Sequence, residues 1–87
     1  MKTVFVINPQ AGQGKKIKAL IDKINSLSGF DIEIYITKCQ GDATTYVKSF
    51  CKSYPKTRFI ACGGDGTLNE VLNGAIGFED AEIGVIP

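Results

Sequence analysis

The 87-residue sequence contains no histidine. A Ser-His-Asp triad, a histidine general base and a histidine-bearing metal cluster are therefore excluded within it. It has only three cysteines, Cys39, Cys51 and Cys62, at spacings of 12 and 11. An odd number so spaced fits neither a disulfide framework nor a zinc site, so the thiols are expected to be buried structural side chains. Cys62 stands apart because it adjoins a cluster of glycines. Net charge is also scarce: the formal value of +1 leaves no bulk electrostatic footprint for nucleic acid or a membrane. No apolar run approaches the ~20 residues that span a bilayer. The short apolar run after Lys2 lacks the length and the small-residue cleavage site of a secretory signal, so a cytoplasmic location is expected. What remains is an ordinary composition, 44% hydrophobic and 22% charged. It suits one folded domain at the small end for a self-sufficient core.

Hydrophobic periodicity gives alternating elements. Val4-Phe5-Val6-Ile7 is a continuous apolar run that stops at Asn8-Pro9, as in a strand buried on both faces of a parallel sheet. Ile17, Leu20, Ile21, Ile24 and Leu27 recur at spacings of three and four, a helix with one buried stripe that ends at Ser28-Gly29. Ile32, Ile34 and Ile36 alternate with Glu33, Tyr35 and Thr37, a strand nearer the sheet edge. Ala43, Tyr46, Val47, Phe50, Cys51 and Tyr54 mark a second helix, with Asp42 as its N-cap and Pro55 as its stop. Phe59 to Cys62 reads as a third strand. Leu68, Val71, Leu72 and Ala75 mark a third helix opened by a Thr67–Glu70 capping box. Ile83 to Ile86 reads as a fourth strand before Pro87.

The order β-α-β-α-β-α-β requires helical crossovers between parallel strands. The fold class is α/β: a three-layer, Rossmann-like open parallel sheet, strand order 2-1-3-4, with helices on both faces. The apolar last strand would leave an edge that further chain, or a second copy through a homodimer, is expected to cover.

Ligands of open α/β sheets bind outside the carboxyl ends of the strands. Three loops lie there: Asn8-Pro9-Gln10-Ala11-Gly12-Gln13-Gly14, Thr37 to Asp42, and Gly63-Gly64-Asp65-Gly66-Thr67. The third has three glycines in four residues and runs straight into a helix start. Its backbone N–H groups and the positive end of the helix dipole would converge on one place, the arrangement that holds phosphate. Asp65 amid them suits a bound Mg²⁺, or the orientation of a hydroxyl or water. The first loop matches neither standard nucleotide motif: Ile17 stands where G-x-G-x-x-G requires glycine, and Gly14-Lys15 lacks the P-loop's earlier glycine and following Ser/Thr. Lys15 would reach a phosphate if its helix starts beside the site.

Together these segments resemble the diacylglycerol kinase catalytic domain family. Asn8-Pro9-Gln10-Ala11-Gly12-Gln13-Gly14 resembles its opening Asn-Pro-x-Ser-Gly-x-Gly segment. Thr37 with Gly41-Asp42-Ala43 is similar to its second signature, and Gly63-Gly64-Asp65-Gly66-Thr67-Leu68-Asn69-Glu70-Val71 to its strongest. Ile83 to Pro87 resembles the segment preceding a further Gly-Thr-x-Asn-Asp motif. The resemblance covers essentially the whole chain.

It implies ATP-dependent transfer of a phosphoryl group to a lipid hydroxyl such as diacylglycerol, with ATP and Mg²⁺ as cofactors. The implied ATP-binding residues are Asn8, Pro9, Gln10, Ala11, Gly12, Thr37, Gly63, Gly64, Asp65, Gly66, Thr67, Leu68, Asn69 and Glu70. Asp65 would lie nearest the phosphates and the metal. Ala11 departs from the family's usual serine and removes one hydroxyl contact. Residues 1–87 correspond to the family's N-terminal nucleotide-binding domain. A β-rich C-terminal domain would supply the lipid pocket, a catalytic carboxylate and transient contact with a membrane surface, so the 87 residues alone are expected to be inactive. Two other readings stay open: an NAD kinase N-terminal domain, which shares Gly-Gly-Asp-Gly-Thr, and a non-catalytic nucleotide-binding or assembly module.

Overall fold

The computed structural model describes residues 1–10 and 14–86, and for residues 14 and 15 the backbone alone. Seven elements alternate along it: β1 (Lys2–Ile7), α1 (Gly14–Asn25), β2 (Ile32–Ile36), α2 (Asp42–Ser53), β3 (Thr57–Cys62), α3 (Asp65–Ala75) and β4 (Glu82–Ile86). The strands form one parallel sheet in the order β2-β1-β3-β4. Both the element order and the strand order match the sequence expectation.

The period of two in the strands creates two separate cores. Val4 and Val6 align with Phe59 and Ala61 across β1 and β3, and face the layer made by α2 and α3. Ala43, Val47 and Cys51 from α2 and Val71 from α3 complete that core. On the opposite face Ile7 and Cys62, flanked by Phe5 and Ile60, pack against Ile17, Leu20, Ile21 and Ile24 of α1. Fully burying a side chain such as Phe59 or Val4 contributes about 1.5–3 kcal/mol each. The central strands β1 and β3 carry most of it, because both their faces are covered.

The two helices of the first layer lie unusually close. A Cβ placed on Gly74 would come within 2.6 Å of the Thr44 carbonyl oxygen and 2.8 Å of the Val47 Cβ. Glycine at position 74 thus lets α3 approach the α2 backbone, and Thr44 Oγ1 donates across the contact to the Glu70 carbonyl at 2.8 Å.

Several local expectations are corrected. Leu27 lies beyond the end of α1 and is 50% exposed, because the last turn closes at Ser26 and Leu27 through N–H bonds to Asp22, Lys23 and Ile24 carbonyls. Leu72 is exposed, whereas the buried residues of α3 are Thr67, Val71 and Gly74. Ile36 is exposed at the end of the edge strand β2. Asp42 is not an N-cap: Gly41 holds that position with φ +86°, and Asp42 is the first helical residue. Thr67 and Glu70 form no capping box, since α3 starts two residues before Thr67 and Gly64 is its N-cap. Of the cysteines, Cys51 and Cys62 are buried as expected but Cys39 is exposed.

Candidate functional site

The carboxyl ends of β1, β2 and β3 open on one pocket of about 320 Å³. Its walls come from all three strand-to-helix corners. Asn8, Pro9 and Gln10 follow β1, Thr37 to Gln40 follow β2, and Gly66, Thr67 and Glu70 belong to the first turns of α3. The corners are tied to the sheet by backbone bonds: Asn8 N–H donates to the Cys62 carbonyl at 3.1 Å and Thr37 N–H to the Ile7 carbonyl at 2.9 Å. The Asn8 side chain shapes its own corner by accepting from the Gln10 N–H at 2.9 Å, an Asx turn.

The β2–α2 corner is held by a carboxylate. Asp42 accepts from the Lys38 N–H at 2.8 Å and from the Tyr35 hydroxyl at 2.8 and 2.9 Å. The Lys38 N–H, then the Tyr35 hydroxyl, hold the Asp42 carboxyl below the usual carboxylate range. The same bond, with some burial, pushes the Tyr35 phenol up. Tyr35 also stacks on Tyr46 with ring centroids 3.7 Å apart, and burial pushes the Tyr46 phenol up to about 12.

The α3 corner is open where the α2 corner is filled. The α3 N-cap, Gly64, carries no side-chain cap. Among the described residues, no group accepts from the N–H of Gly64, Asp65 or Gly66. A Cβ at Gly64 or Gly66 would meet nothing within 4 Å, and Gly66 sits inside the helix, where glycine costs about 0.5–1 kcal/mol relative to alanine. Internal packing therefore gives no reason for these two glycines; a ligand approaching the backbone would. Thr67 supplies a further sign. The residue is 4% exposed and, among the described residues, its Oγ1 has no hydrogen-bond partner, a cost of about 1–3 kcal/mol for a buried hydroxyl.

The match to a known family spans the glycine-rich corner and its two partner corners. The family model described as "Diacylglycerol kinase catalytic domain" matches residues 2–87. This chain belongs to the diacylglycerol kinase catalytic domain family. It is 41% identical over 73 residues to the diacylglycerol kinase of Staphylococcus saprophyticus, covering 80% of this chain and 23% of that protein. It is 31% identical over 87 residues to sphingoid long-chain bases kinase 1 of Arabidopsis thaliana, covering 97% of this chain and 11% of that protein. The crystal structure of a diacylglycerol kinase from Bacillus anthracis superposes with a TM-score of 0.76 at 35% identity, covering 99% of this chain and 32% of that one. The chain thus spans a third or less of each relative. Membership of this family decides against the NAD kinase resemblance.

Within this family domain the expected site residues divide into groups. Asn8, Pro9, Gln10, Thr37, Gly66, Thr67 and Glu70 meet at the pocket. Gly63, Gly64 and Asp65 form the turn into α3 beside it, with Gly63 at φ +154°. Leu68 instead packs against the α2/α3 core, and Asn69 is exposed and does not line the pocket. Ala11, Gly12 and the Lys15 side chain fall outside the described residues. Lys38, Cys39 and Gln40 also line the pocket without a sequence signal of their own, as does Ala43 of the second signature. Their loop was visible as a strand-to-helix corner, but nothing in its residue types marked which members turn inward. Cys62, despite adjoining the glycines, is buried and its thiol is pushed up to about 11 by burial, so it offers no nucleophile.

No group of three or more potential metal ligands is assembled among the described residues. Asp65, exposed at the first position of α3, stands as a single carboxylate at the open helix start.

Proposed function

We propose that this chain is the nucleotide-binding part of an ATP-dependent lipid kinase, with the pocket holding ATP. One observation carries the reading: Gly66 and Thr67 line a pocket walled by three strand-end corners, with the open N–H groups of Gly64 and Asp65 in the turn beside it and the Thr67 hydroxyl buried without a partner among the described residues. Backbone donors at a helix start suit a polyphosphate, and Thr67 would gain its missing partner from a phosphate oxygen. The β2–α2 corner, with Thr37, Lys38 and Gln40, would take the nucleoside.

The residues suit Mg²⁺ in a limited way. Asp65 would hold the ion together with nucleotide phosphates and water, since Mg²⁺ is commonly bound through one or two carboxylates plus phosphates. When bound, the ion would neutralise charge on the transferring phosphoryl group. The chain's own part is positioning: fixed amides and a rigid β-sheet rim hold the anionic tail without reorganisation. The lipid acceptor, its pocket and a catalytic carboxylate belong, in this reading, to a further β-rich domain. That domain also makes the transient membrane contact, and it or a second copy would pair with the outer edge of β4. The compartment is the cytoplasm; no helix among the described residues is long and apolar enough to cross a membrane.

Calorimetric titration of the chain with ATP and Mg²⁺ tests the reading, with Thr67→Ala as the control for the site. Saturable binding weakened by the substitution, without phosphorylation of diacylglycerol by the 87 residues alone, is the expected result. Absence of binding at millimolar ATP would refute it.

A further inference from the structure

Among the described residues that line the pocket, two helix starts take part, those of α2 and α3, and any helix start is a seat for negative charge because its first N–H groups lack intrahelical partners and the dipole's positive end lies there. They are treated differently. The start of α2 is already occupied by the chain itself: Glu70 Oε1 accepts from the Gly41 N–H at 3.1 Å and the Ala43 N–H at 3.2 Å. The start of α3 has no side-chain occupant among the described residues. Glu70 is not placed there by its own helix start, because it lies in the second turn of α3, 29 and 27 residues from its two partners. Its position is fixed from both sides. Thr44 holds the Glu70 carbonyl, and the close approach at Gly74 sets the spacing of the helices. The residue half-buries its side chain in the pocket wall and forms no salt bridge among the described residues.

We propose that Glu70 is a specificity-determining residue that acts as an internal anion: it denies the α2 start to the ligand and, of the two helix starts α2 and α3, leaves the α3 start as the seat for phosphate. This rests on the nucleotide reading above but goes beyond it. It gives Glu70 a role through other groups rather than as a direct contact, and it accounts for the direction in which a nucleotide would lie. A phosphate tail placed against α2 would meet a carboxylate on amides that are already bonded. The same tail against α3 meets free donors. A neutral group with hydrogen-bond donors would be the natural neighbour of Glu70.

The test is titration of the ¹⁵N-labelled chain with inorganic phosphate, following backbone amide shifts, for the native chain, Glu70→Ala and Glu70→Gln. In the native chain phosphate is expected to move the amides of Gly64, Asp65 and Gly66 and to leave Gly41 and Ala43 unmoved. Glu70→Ala vacates the α2 start, so phosphate should then move Gly41 and Ala43 as well. Glu70→Gln keeps the acceptor but removes the charge. Gly41 and Ala43 should stay silent, and phosphate at the α3 start should bind about threefold more tightly, the scale expected for one like charge across a solvated pocket. Movement of Gly41 and Ala43 in the native chain overturns the proposal. So does a folded Glu70→Ala chain in which they stay silent. If Glu70→Ala does not fold, the glutamine variant decides: unchanged or weaker phosphate affinity overturns the proposal. Silence at Gly64 to Gly66 in the native chain counts against the nucleotide reading itself, whereas Gly41 and Ala43 still report on Glu70.

Discussion

The Tyr35 hydroxyl donates to the Asp42 carboxylate across the mouth of the β2–α2 corner, at 2.8 and 2.9 Å from its two oxygens. Because Asp42 simultaneously accepts from the Lys38 N–H, one carboxylate joins the strand, the loop and the helix start. Tyr35→Phe keeps the stacking on Tyr46 and removes only this bond. The expected result is a melting temperature lower by a few degrees, with a larger proportional loss in nucleotide affinity, because the loop it holds lines the pocket. Calorimetry and thermal melts on the same sample check both.

The two kinds of glycine predict opposite outcomes. Gly74→Ala forces a Cβ against the α2 backbone and should destabilise the chain by about 2–3 kcal/mol, the cost of overpacking a contact that cannot yield. Gly66→Ala meets nothing and improves helix propensity, so stability should rise by about 0.5–1 kcal/mol. ATP affinity should nevertheless fall about tenfold, roughly 1.4 kcal/mol, because the methyl group occupies the ligand's approach to the amides. Denaturant melts and calorimetry separate the two effects.

The contrast also shows what the sequence made legible. The continuous apolar run Val4–Ile7 and the alternation of elements were enough for the parallel sheet and the three converging corners, while its strand order came by analogy with other doubly wound sheets. Local spacing misled where a partner was distant. Thr67 and Glu70 are three apart, the signature of a capping box, yet Glu70 binds amides 27 and 29 residues away. Asp42 precedes an apolar-periodic run, as a cap would, yet it looks backward to Lys38 and Tyr35. Leu27 kept the helical period after the helix had ended, since nothing in the period records where the backbone closes.

Thiol reactivity should report the pocket. Cys39 is exposed and lines it, whereas Cys51 and Cys62 are buried and burial pushes both thiols up. The thiolate is the reacting form. An aromatic disulfide reagent should therefore label a single thiol in the native chain, none quickly in Cys39→Ser, and ADP should slow the labelling. Mass spectrometry of the adduct identifies the site.

The Asp42 carboxyl is depressed in the folded chain, so in mild acid the unfolded chain takes up its proton first. The contribution of Asp42 is present above the ordinary carboxylate pKa of about 3.9 and is lost as pH falls below it. Thermal melts of the native chain should drop as pH falls from about 4 toward the lower, depressed value of the folded carboxyl. Asp42→Asn should be less stable at neutral pH and show a shallower drop.

The central claim is that the amides opening α3 hold the anionic end of a nucleotide. The most direct measurement is a crystal structure of the chain with a non-hydrolysable ATP analogue and Mg²⁺. Phosphate oxygens within hydrogen-bonding distance of the Gly64, Asp65 and Gly66 N–H groups and of the Thr67 hydroxyl would bear it out. A nucleotide bound with its phosphates against Gly41 and Ala43, or outside the pocket altogether, would contradict it.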